Sequence, residues 1–360
     1  MSTQPTIRQG ISIYRARLAK LFQVREMSLI AIVLIVAVVA AVVVPAFRDS
    51  VNLREMLNNA AVVAIVAIGE SLVLLSRQID LSVGTILGLS AFITGSVLSH
   101  LGLSSGVGVV LIAVLLPTAL GMLMGLGNGL LISFARMPAI IATLATLSIY
   151  GGLQVVVSGG SQVYAYQLPS WLGQLYTTSW LGVGSFVWIA AVCVMLFSFV
   201  MYMMRWGRDL YAMGSNPEAA RYMAIPTRRR TIEAFVACGA LAGFGGLLFT
   251  AQYGNVDATA GAGFELTVIA AAVIGGVSLF GGSGSPLGAA LGAVLLLEIE
   301  NILALLKISI FAQQTLQGVA IICAIAIYAY LAYRLQQPAV RANQERGDGT
   351  EYVARTEAGE

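Results

Sequence analysis

The chain has 360 residues, of which 58% are hydrophobic and 10% are charged, whereas soluble domains average about 45–50% apolar and about 25% charged residues. This composition excludes an ordinary soluble protein and predicts an integral membrane protein. The net charge of +3 and the pI near 8.8 do not indicate a nucleic-acid partner, because the basic residues stand between apolar segments instead of on one face.

The apolar segments predict an all-α polytopic membrane protein with about ten transmembrane helices and with both termini in the cytoplasm. Residues 1–27 are polar and basic, so we expect a cytoplasmic segment that lies at the inner leaflet as an interfacial helix. The apolar run after it is too long for a secretory signal and is predicted to be an uncleaved first span. Allowing about twenty residues per crossing, we predict spans near residues 28–47, 58–76, 81–100, 107–135, 138–158, 183–204, 231–253, 265–281, 286–305 and 311–333. The Gly-rich stretches leave room for broken or re-entrant helices.

The basic residues support this orientation. Of the 20 lysines and arginines, the prediction leaves three outside and 17 on the cytoplasmic side; the three are Arg48, Arg54 and Lys307. Loops rich in Lys and Arg stay in the cytoplasm, so an odd number of spans or the opposite orientation would spoil the bias.

The chain is predicted to divide into the leader of residues 1–27, a transmembrane domain of residues 28–333 and a disordered cytoplasmic tail of residues 334–360, which has too little apolar surface to fold. The outer loop of residues 158–181 carries several aromatic side chains. They form either a docking surface or an interfacial belt at the lipid headgroups; they are Tyr164, Tyr166, Trp171, Tyr176 and Trp180.

The longest polar interruption, residues 205–230, carries six arginines and is therefore predicted to be cytoplasmic. Within it, Ser215, Asn216 and Pro217 form a typical helix start, and Glu218 falls in the first turn. We expect a short helix between two spans, facing the cytosol.

Ionisable and polar side chains inside the bilayer are functional candidates. Arg77 and Asp80 lie three residues apart and are predicted to form a structural ion pair at the inner end of a span. A polar stripe on the fifth span is a candidate substrate pathway, because its members share one helical face; they are Thr143, Thr146, Tyr150 and Gln154. The alternative is that the threonines bond to the preceding turn of their own helix.

Glycines recur at intervals of four in two series, which predicts close packing of helix backbones; they are Gly121, Gly125 and Gly129, and Gly284, Gly288 and Gly292. The stretch GGVSLFGGSGSP at residues 275–286 is predicted to be a tight turn between two spans at the inner surface. It is not a phosphate-binding loop, because neither lysine of the chain follows a glycine. Since the chain has one histidine and no pair of cysteines at metal-ligand spacing, we expect no metal and no cofactor.

Five stretches resemble the permease subunits of ATP-binding-cassette importers of the ribose, xylose and autoinducer-2 group. They are GRDLYAMGSNPEAARYMAIP at residues 207–226, SRQIDLSVGTILGLSAF at 76–92, NGLLISFARMPAIIATLATLSIYGGL at 128–153, GFELTVIAAAVIGGVSLFGGSGSPLGAALGA at 263–293 and LLKISIFAQQTLQGVAII at 305–322. The resemblance implies an inner-membrane permease domain that translocates a monosaccharide or related small polyol and binds no ATP itself. It implies three kinds of protein partner: an ATPase subunit, a second copy or a sister permease, and an extracytoplasmic sugar-binding protein.

The resemblance also assigns the ATPase-coupling role to residues of the short cytoplasmic helix and its flanks; they are Gly214, Asn216, Glu218, Ala219, Ala220, Arg221 and Ile225. The chain departs from the family pattern at Arg77 and Gln78, where glycines are usual, at Ala224, where the pattern has Gly, and in the last block, which lacks Trp. The first and last of these departures are closer to the autoinducer-2 type than to a ribose permease.

Three other functions remain open. A branched-chain amino-acid permease is related and similarly built. An ion-coupled secondary transporter would use the membrane carboxylates Glu70, Glu298 and Glu300 but would leave the arginine-rich loop unexplained. An intramembrane enzyme has little support, because the chain has no H-E-x-x-H motif or other metal pair.

Overall fold

The computed structural model describes residues 26–101, 106–315, 317–319, 322 and 326. The interfacial helix predicted in the leader, most of the span predicted at residues 311–333 and the tail of residues 334–360 lie outside the described residues. The chain divides into a first unit, Met1–Gln313, and a second, Gln314–Glu360. The elements below belong to the first.

Within the described part of the chain, eight helices are long and apolar enough to cross a membrane, which confirms an all-α polytopic membrane protein. They are α1 (Glu26–Val43), α2 (Ser50–Leu75), α3 (Val83–His100), α4 (Val107–Ser133), α5 (Ala139–Ser158), α7 (Ser185–Met203), α10 (Thr227–Tyr253) and α12 (Pro286–Leu305).

Shorter elements join them. The outer loop holds α6 (Ser170–Thr177) and an antiparallel hairpin of β1 (Ser179–Trp180) and β2 (Val183–Gly184). Two helices, α8 (Arg205–Ser215) and α9 (Pro217–Tyr222), lie between α7 and α10, and α11 is Phe264–Ile274. Short 3₁₀ turns occupy Pro45–Arg48 and Ala165–Gln167.

The span predicted at residues 265–281 is wrong in extent. The helix there, α11, has 11 residues, which is about 16 Å of helix against a hydrocarbon core of about 30 Å. Gly263 precedes it with a φ of 82° and Gly276 follows it with a φ of 86°, conformations that L side chains rarely adopt. The chain around α11 is therefore an interrupted crossing, not one continuous helix.

Three helices form the centre of the unit. The apolar windows of α2, α3 and α10 are 89%, 72% and 72% buried, whereas those of α1, α4, α5 and α7 are between 11% and 22% buried. The outer helices are apolar on the face turned away from the protein because lipid, like the protein core, accepts such side chains.

Glycines let α4 and α10 approach to backbone contact. A Cβ at Gly121 would meet the carbonyl of Gly239, and one at Gly125 would meet the carbonyl of Phe235. From the other side, a Cβ at Gly239 would meet Gly121 and Gly125. The predicted role of this glycine series in close helix packing is confirmed.

The second series has the same role between α11 and α12. A Cβ at Gly288 would meet the carbonyl of Gly275, and one at Gly292 would meet that of Ala271. Gly284 precedes the helix, with a φ of 131°. Residues 275–285, the glycine-rich turn, pack against the end of α2, where the N–H of Gly282 donates to the carbonyl of Leu75 at 3.0 Å. The predicted tight turn is confirmed.

Helix α1 lies at the periphery and packs against α2 and α12. Its Ala40 and the following Val44 and Phe47 belong to a small buried cluster with Met56, against which Ile302 and Leu305 of α12 pack. Next to this cluster, the side-chain amides of Asn52 and Asn301 donate to each other's oxygens at 3.1 and 2.9 Å. These contacts join α1 and α2 to the outer end of α12.

Candidate functional site

Helix α9 begins where the sequence predicts. Asn216 is its N-cap, and its side-chain oxygen accepts hydrogen bonds from the backbone N–H groups of Glu218 at 3.1 Å and Ala219 at 3.0 Å. Pro217 occupies the first position, where its missing N–H is no loss. An Asn cap stabilises a helix start by about 1 kcal/mol relative to Ala, so these six residues form a fixed surface feature.

The structure separates the seven predicted coupling residues by exposure. Glu218, Ala219 and Arg221 are exposed, as is the cap Asn216, whereas Ala220 is 2% exposed and Ile225 is half-buried. A Cβ at the buried Gly214 would meet the carbonyl of Leu75 and the backbone of Gly282. The first group can contact a partner, and the second attaches the helices to the membrane domain.

The sequence pattern did not predict the apolar tip of this region. Tyr222 is 91% exposed and Met223 is 74% exposed, although both are large apolar side chains. Two adjacent bulky side chains in an otherwise polar loop were the available signal. They extend the candidate docking surface past the end of α9.

An ion pair ties α8 to α10. The Nη2 of Arg230 lies 2.8 Å from the Oδ2 of Asp209, and both side chains are largely buried. The Nη1 of the same guanidinium lies 2.7 Å from Glu233, one turn along α10. Arg230 is thus held by two carboxylates from different helices, so α8 and α10 move together.

The glycine-rich turn holds the other side of α8. The hydroxyl of Tyr211 donates to the carbonyl of Gly284 at 2.8 Å. Burial raises the pKa of the Tyr211 phenol well above its usual value, so the hydroxyl keeps its proton and remains a donor. With the backbone approach of Gly214 to Gly282, α8 is in direct contact with the inner end of the interrupted crossing.

The outer end of that crossing is irregular backbone packed between helices. Residues 254–263, the interrupted segment, contact the first two turns of α3, where a Cβ at Gly88 would meet the carbonyl of Ala260. Val256 is fully buried and exchanges two backbone hydrogen bonds with Val163 of the outer loop, at 2.9 and 3.0 Å. Non-helical backbone inside a membrane protein is tolerated where protein or a cavity satisfies it, and in transporters it marks binding regions.

The predicted polar stripe faces this segment and the neighbouring helices. All four members are buried, at 0%, 3%, 9% and 1% exposure in chain order. The Gln154 amide donates to the carbonyls of Asp257 and Ala260, at 3.1 Å each, and the Tyr150 hydroxyl donates to the carbonyl of Met124 at 2.9 Å.

The two threonines bond within their own helix. The hydroxyl of Thr143 donates to the carbonyl of Ala139 at 2.8 Å, and that of Thr146 to the carbonyl of Thr143 at 3.2 Å. Each of the four side chains of the stripe therefore has a protein partner in this conformation, and its role in a pathway stays a prediction.

The predicted ion pair between Arg77 and Asp80 is wrong. Arg77 is exposed, with a φ of 67°, whereas Asp80 is fully buried. The Asp80 carboxylate accepts hydrogen bonds from the hydroxyl and N–H of Ser82, at 2.7 and 2.9 Å, and from the amide of Asn128, at 3.2 and 3.3 Å. The left-handed turn at Arg77 points the two side chains apart, so spacing along a regular helix did not apply.

A second carboxylate completes this buried polar junction. The Oε1 of Glu70 accepts the backbone N–H of Asp80 at 3.2 Å, and its Oε2 lies 3.8 Å from the Sγ of Cys238. The junction joins α2, α3, α4 and α10. Asn128 was the sequence signal that could have revealed it, since an amide in an apolar span needs a polar partner.

Other membrane carboxylates are less well satisfied. Both oxygens of Glu298 and the Oε2 of Glu265 are buried and have no hydrogen-bond partner among the described residues. The described part of the chain holds no group of three or more His, Cys, Asp or Glu side chains placed to bind a metal.

Comparison with known proteins agrees with this arrangement. The family model described as branched-chain amino acid transport system / permease component matches residues 52–325. The autoinducer 2 import system permease protein LsrC of Salmonella choleraesuis (strain SC-B67) is 34% identical over 308 residues, covering 84% of this chain and 86% of that protein. The protein of the same name from Escherichia coli (strain K12 / DH10B) is 35% identical over 308 residues, covering 84% and 88%. No solved structure matches the chain.

The matched family region begins in the first turn of α2, runs past the end of α12 and includes the whole polar segment of residues 205–230. The apolar helices and the family together identify a multi-pass protein of the inner membrane that acts as a transport subunit and not as an enzyme. The chain belongs to the family of permease components of ATP-binding-cassette transport systems, in its sugar-type group.

Proposed function

We propose that this chain is the membrane-spanning subunit of an importer in which a separate ATPase docks on α9 and drives the uptake of a small polyhydroxylated molecule. The observation that carries the proposal is the connection from α9 to the interrupted crossing. α9 presents exposed side chains, α8 is fixed by the Asp209–Arg230 pair, and the glycine-rich turn touches α8 on one side and continues into α11 on the other.

The mechanism follows from these contacts. When ATP closes the partner ATPases, the surface formed by Glu218, Ala219 and Arg221 moves with them. Because α8 cannot slide independently of α10 or of the glycine-rich turn, the displacement reaches α11 and the interrupted segment. Breaking the bonds from Gln154 to Asp257 and Ala260 then frees neutral polar groups toward a pathway.

The substrate class is proposed from the relatives and from the chemistry of the stripe. Relatives that share about a third of their residues with this chain are named as autoinducer 2 permeases. Thr143, Thr146, Tyr150 and Gln154 supply hydroxyl and amide groups and no charge, which suits a neutral polyol. Autoinducer 2 is therefore the first substrate to test, and ribose and xylose follow.

Two further partners complete the proposed importer. A second permease, identical or sister, would pack against the exposed apolar faces of the outer helices, and an extracytoplasmic binding protein would deliver the ligand to the outer loop. The aromatic residues there are arranged for contact, since Tyr166 is 75% exposed and Trp180 is 64% exposed.

The test is uptake by the reconstituted set of subunits. Membranes of the native host are solubilised gently, the chain is affinity-purified and the co-purifying proteins are identified. The expected co-purifying protein is an ATPase with a P-loop. Cells that express this chain together with its co-purifying proteins should deplete autoinducer 2 from the medium. Purification of the chain alone, with transport under an ion gradient and none under ATP, would assign the function to a secondary transporter that uses the membrane carboxylates.

A branched-chain amino acid is the second candidate substrate, because the matching family model carries that description. The same cells distinguish the two. Uptake of labelled leucine by these cells would favour the amino acid. Inhibition of autoinducer 2 uptake by ribose but not by leucine would favour the polyol.

A further inference from the structure

The cytoplasmic end of the unit contains a cavity whose charge the coupling role does not explain. It has a volume of about 1100 Å³ and lies between the loop after α2, the loop between α4 and α5, and the segment from α9 to the start of α10. Ligand sites usually have about 300–1,000 Å³. Its lining includes five arginines, and we call it the arginine cavity; they are Arg77, Arg136, Arg221, Arg228 and Arg229.

The arginine cavity is unbalanced in charge. No carboxylate is among the described residues that line it. Arg229 has an acidic partner, Glu233 at 2.7 Å, and its side chain is 75% exposed. Within the described part of the chain, the other four arginines form no ion pair. The neighbouring Arg230 differs, because two carboxylates hold it.

The backbone holds two of these arginines in an unfavourable conformation. Arg77 has a φ of 67° and Arg136 has a φ of 56°. An L residue adopts the left-handed region only at a conformational cost, and glycine would adopt it without that cost. Both loops nevertheless place an arginine there, at the wall of the same cavity.

Membrane topology accounts for the side on which these arginines lie, but not for their convergence. Arg205 and Arg208 are equally cytoplasmic and exposed, satisfy the same topological preference and do not line the cavity. Four arginines without an ion pair that line one cavity give it a positive potential. A multivalent anion removes that repulsion and offers the bidentate acceptors that guanidinium groups bind best.

We propose that the arginine cavity binds a phosphate-bearing anion, either an anionic phospholipid headgroup or a soluble phosphate compound. The bound phosphate bridges Arg221 of α9 to Arg77 and Arg136 at the inner ends of the spans. It thereby fixes the position of α9 against the membrane domain and regulates how far the coupling surface can move. This binding depends neither on the transported substrate nor on the presence of an ATPase.

The test uses the full chain in neutral detergent with two probes. Binding of labelled inorganic pyrophosphate is measured by equilibrium dialysis, and retention of phosphatidylglycerol against phosphatidylcholine is measured by native mass spectrometry. The double variant R136Q/R221Q removes two cavity charges. The matched control R205Q/R208Q removes two charges from the same side of the membrane, outside the cavity.

The expected result is that the wild type binds at least one probe. The cavity variant should bind it about tenfold more weakly, as expected for the loss of roughly one good charge-assisted contact, while the control stays within about twofold of wild type. Binding of the lipid alone identifies a headgroup, and competition by pyrophosphate identifies a site open to soluble phosphates. The variant R136K/R221K keeps the charge but loses the bidentate geometry and should bind with intermediate affinity.

Two results would overturn the proposal. One is equal weakening by the cavity and control variants, which indicates general attraction by the basic surface. The other is a wild-type chain that binds neither probe. If R136Q/R221Q then also loses a co-purifying ATPase, the cavity is a contact surface for that protein. The single variant R221Q tests the same point if the double variant does not fold, because Arg221 is exposed on α9.

Discussion

The interface between α4 and α10 and the attachment of α8 to the membrane domain are built by different forces. Inside the bilayer, lipid is as apolar as a leucine side chain, so helices gain nothing by hiding apolar surface and associate through close backbone contact. Gly121, Gly125 and Gly239 provide that contact. At the end that we predict to be cytoplasmic, water makes charge and hydrogen bonding available, and Asp209 and Arg230 join the elements. The first interface requires absence of side chains, and the second requires specific ones.

The glycine interface should be the least tolerant of change. In Gly239→Leu, the new side chain has to occupy space filled by the backbone of Gly121 and Gly125, and backbone cannot move away as a side chain can. We expect loss of folded protein, since overpacking costs about 1–3 kcal/mol even where side chains can adjust. The measurement is the monodisperse fraction in fluorescence-detected size-exclusion chromatography.

Gly152→Leu is the matched control on α5, because nothing lies within 4 Å of the position of its Cβ. It should express at the wild-type level. Equal loss in both variants would mean that leucine in any span is harmful and that the α4 and α10 contact is not special.

Variants of the buried polar junction should show how much a hydrogen-bond network inside the membrane contributes to stability, compared with the glycine interface. In Asp80→Asn, one acceptor becomes a donor that faces the Asn128 amide, so a buried polar group loses its partner at about 1–3 kcal/mol. We expect a lower thermal unfolding temperature in detergent. The exchange D80N/N128D restores a donor and an acceptor and should recover part of the loss, a coupling that independent sites would not show.

The attachment of α8 should matter less for stability than for transport. Arg230→Gln breaks the contact to Asp209 and leaves its largely buried carboxylate without this partner. Removing one partner of a fully buried ion pair lowers the free energy of unfolding by about 3–5 kcal/mol. Because this pair is partly exposed, we expect a decrease of about 1–3 kcal/mol. We expect the number of substrate molecules taken up per ATP hydrolysed to fall below the wild-type ratio. Arg205→Gln is the control, since it removes an exposed arginine of the same polar segment that lies outside the arginine cavity; an equal fall in the ratio there would refute the tether.

The exposed face of α9 should have the smallest effect on folding. Glu218→Lys reverses an exposed charge, so we expect an unfolding temperature within the error of wild type but a loss of coupling between ATP hydrolysis and uptake. Glu55→Lys makes the same change at an exposed site on α2, away from the coupling region, and should transport normally. Normal transport by Glu218→Lys would remove α9 from the docking surface.

Local patterns predicted local structure well. The positions of the long spans, the Asn216 cap and the spacing of Gly121 and Gly125 are encoded in neighbouring residues, and the structure confirms them. Partners far apart in sequence were not predictable in this way. Asp80 bonds to Asn128, 48 residues away, and the Arg77 prediction failed because a left-handed turn interrupts the helical spacing. The shortness of α11 also escaped, since its flanking residues are apolar enough to belong to a full span.

The packing of α1 against α12 constrains the order in which the helices assemble during synthesis. This helix leaves the ribosome first among the described spans, yet Ile302 and Leu305, against which its cluster packs, follow more than 250 residues later. At about 5–20 residues per second, the wait is roughly ten to fifty seconds. During that time α1 sits in lipid without these contacts, which its largely apolar surface permits, and it can dock on α12 only after α12 has been synthesised.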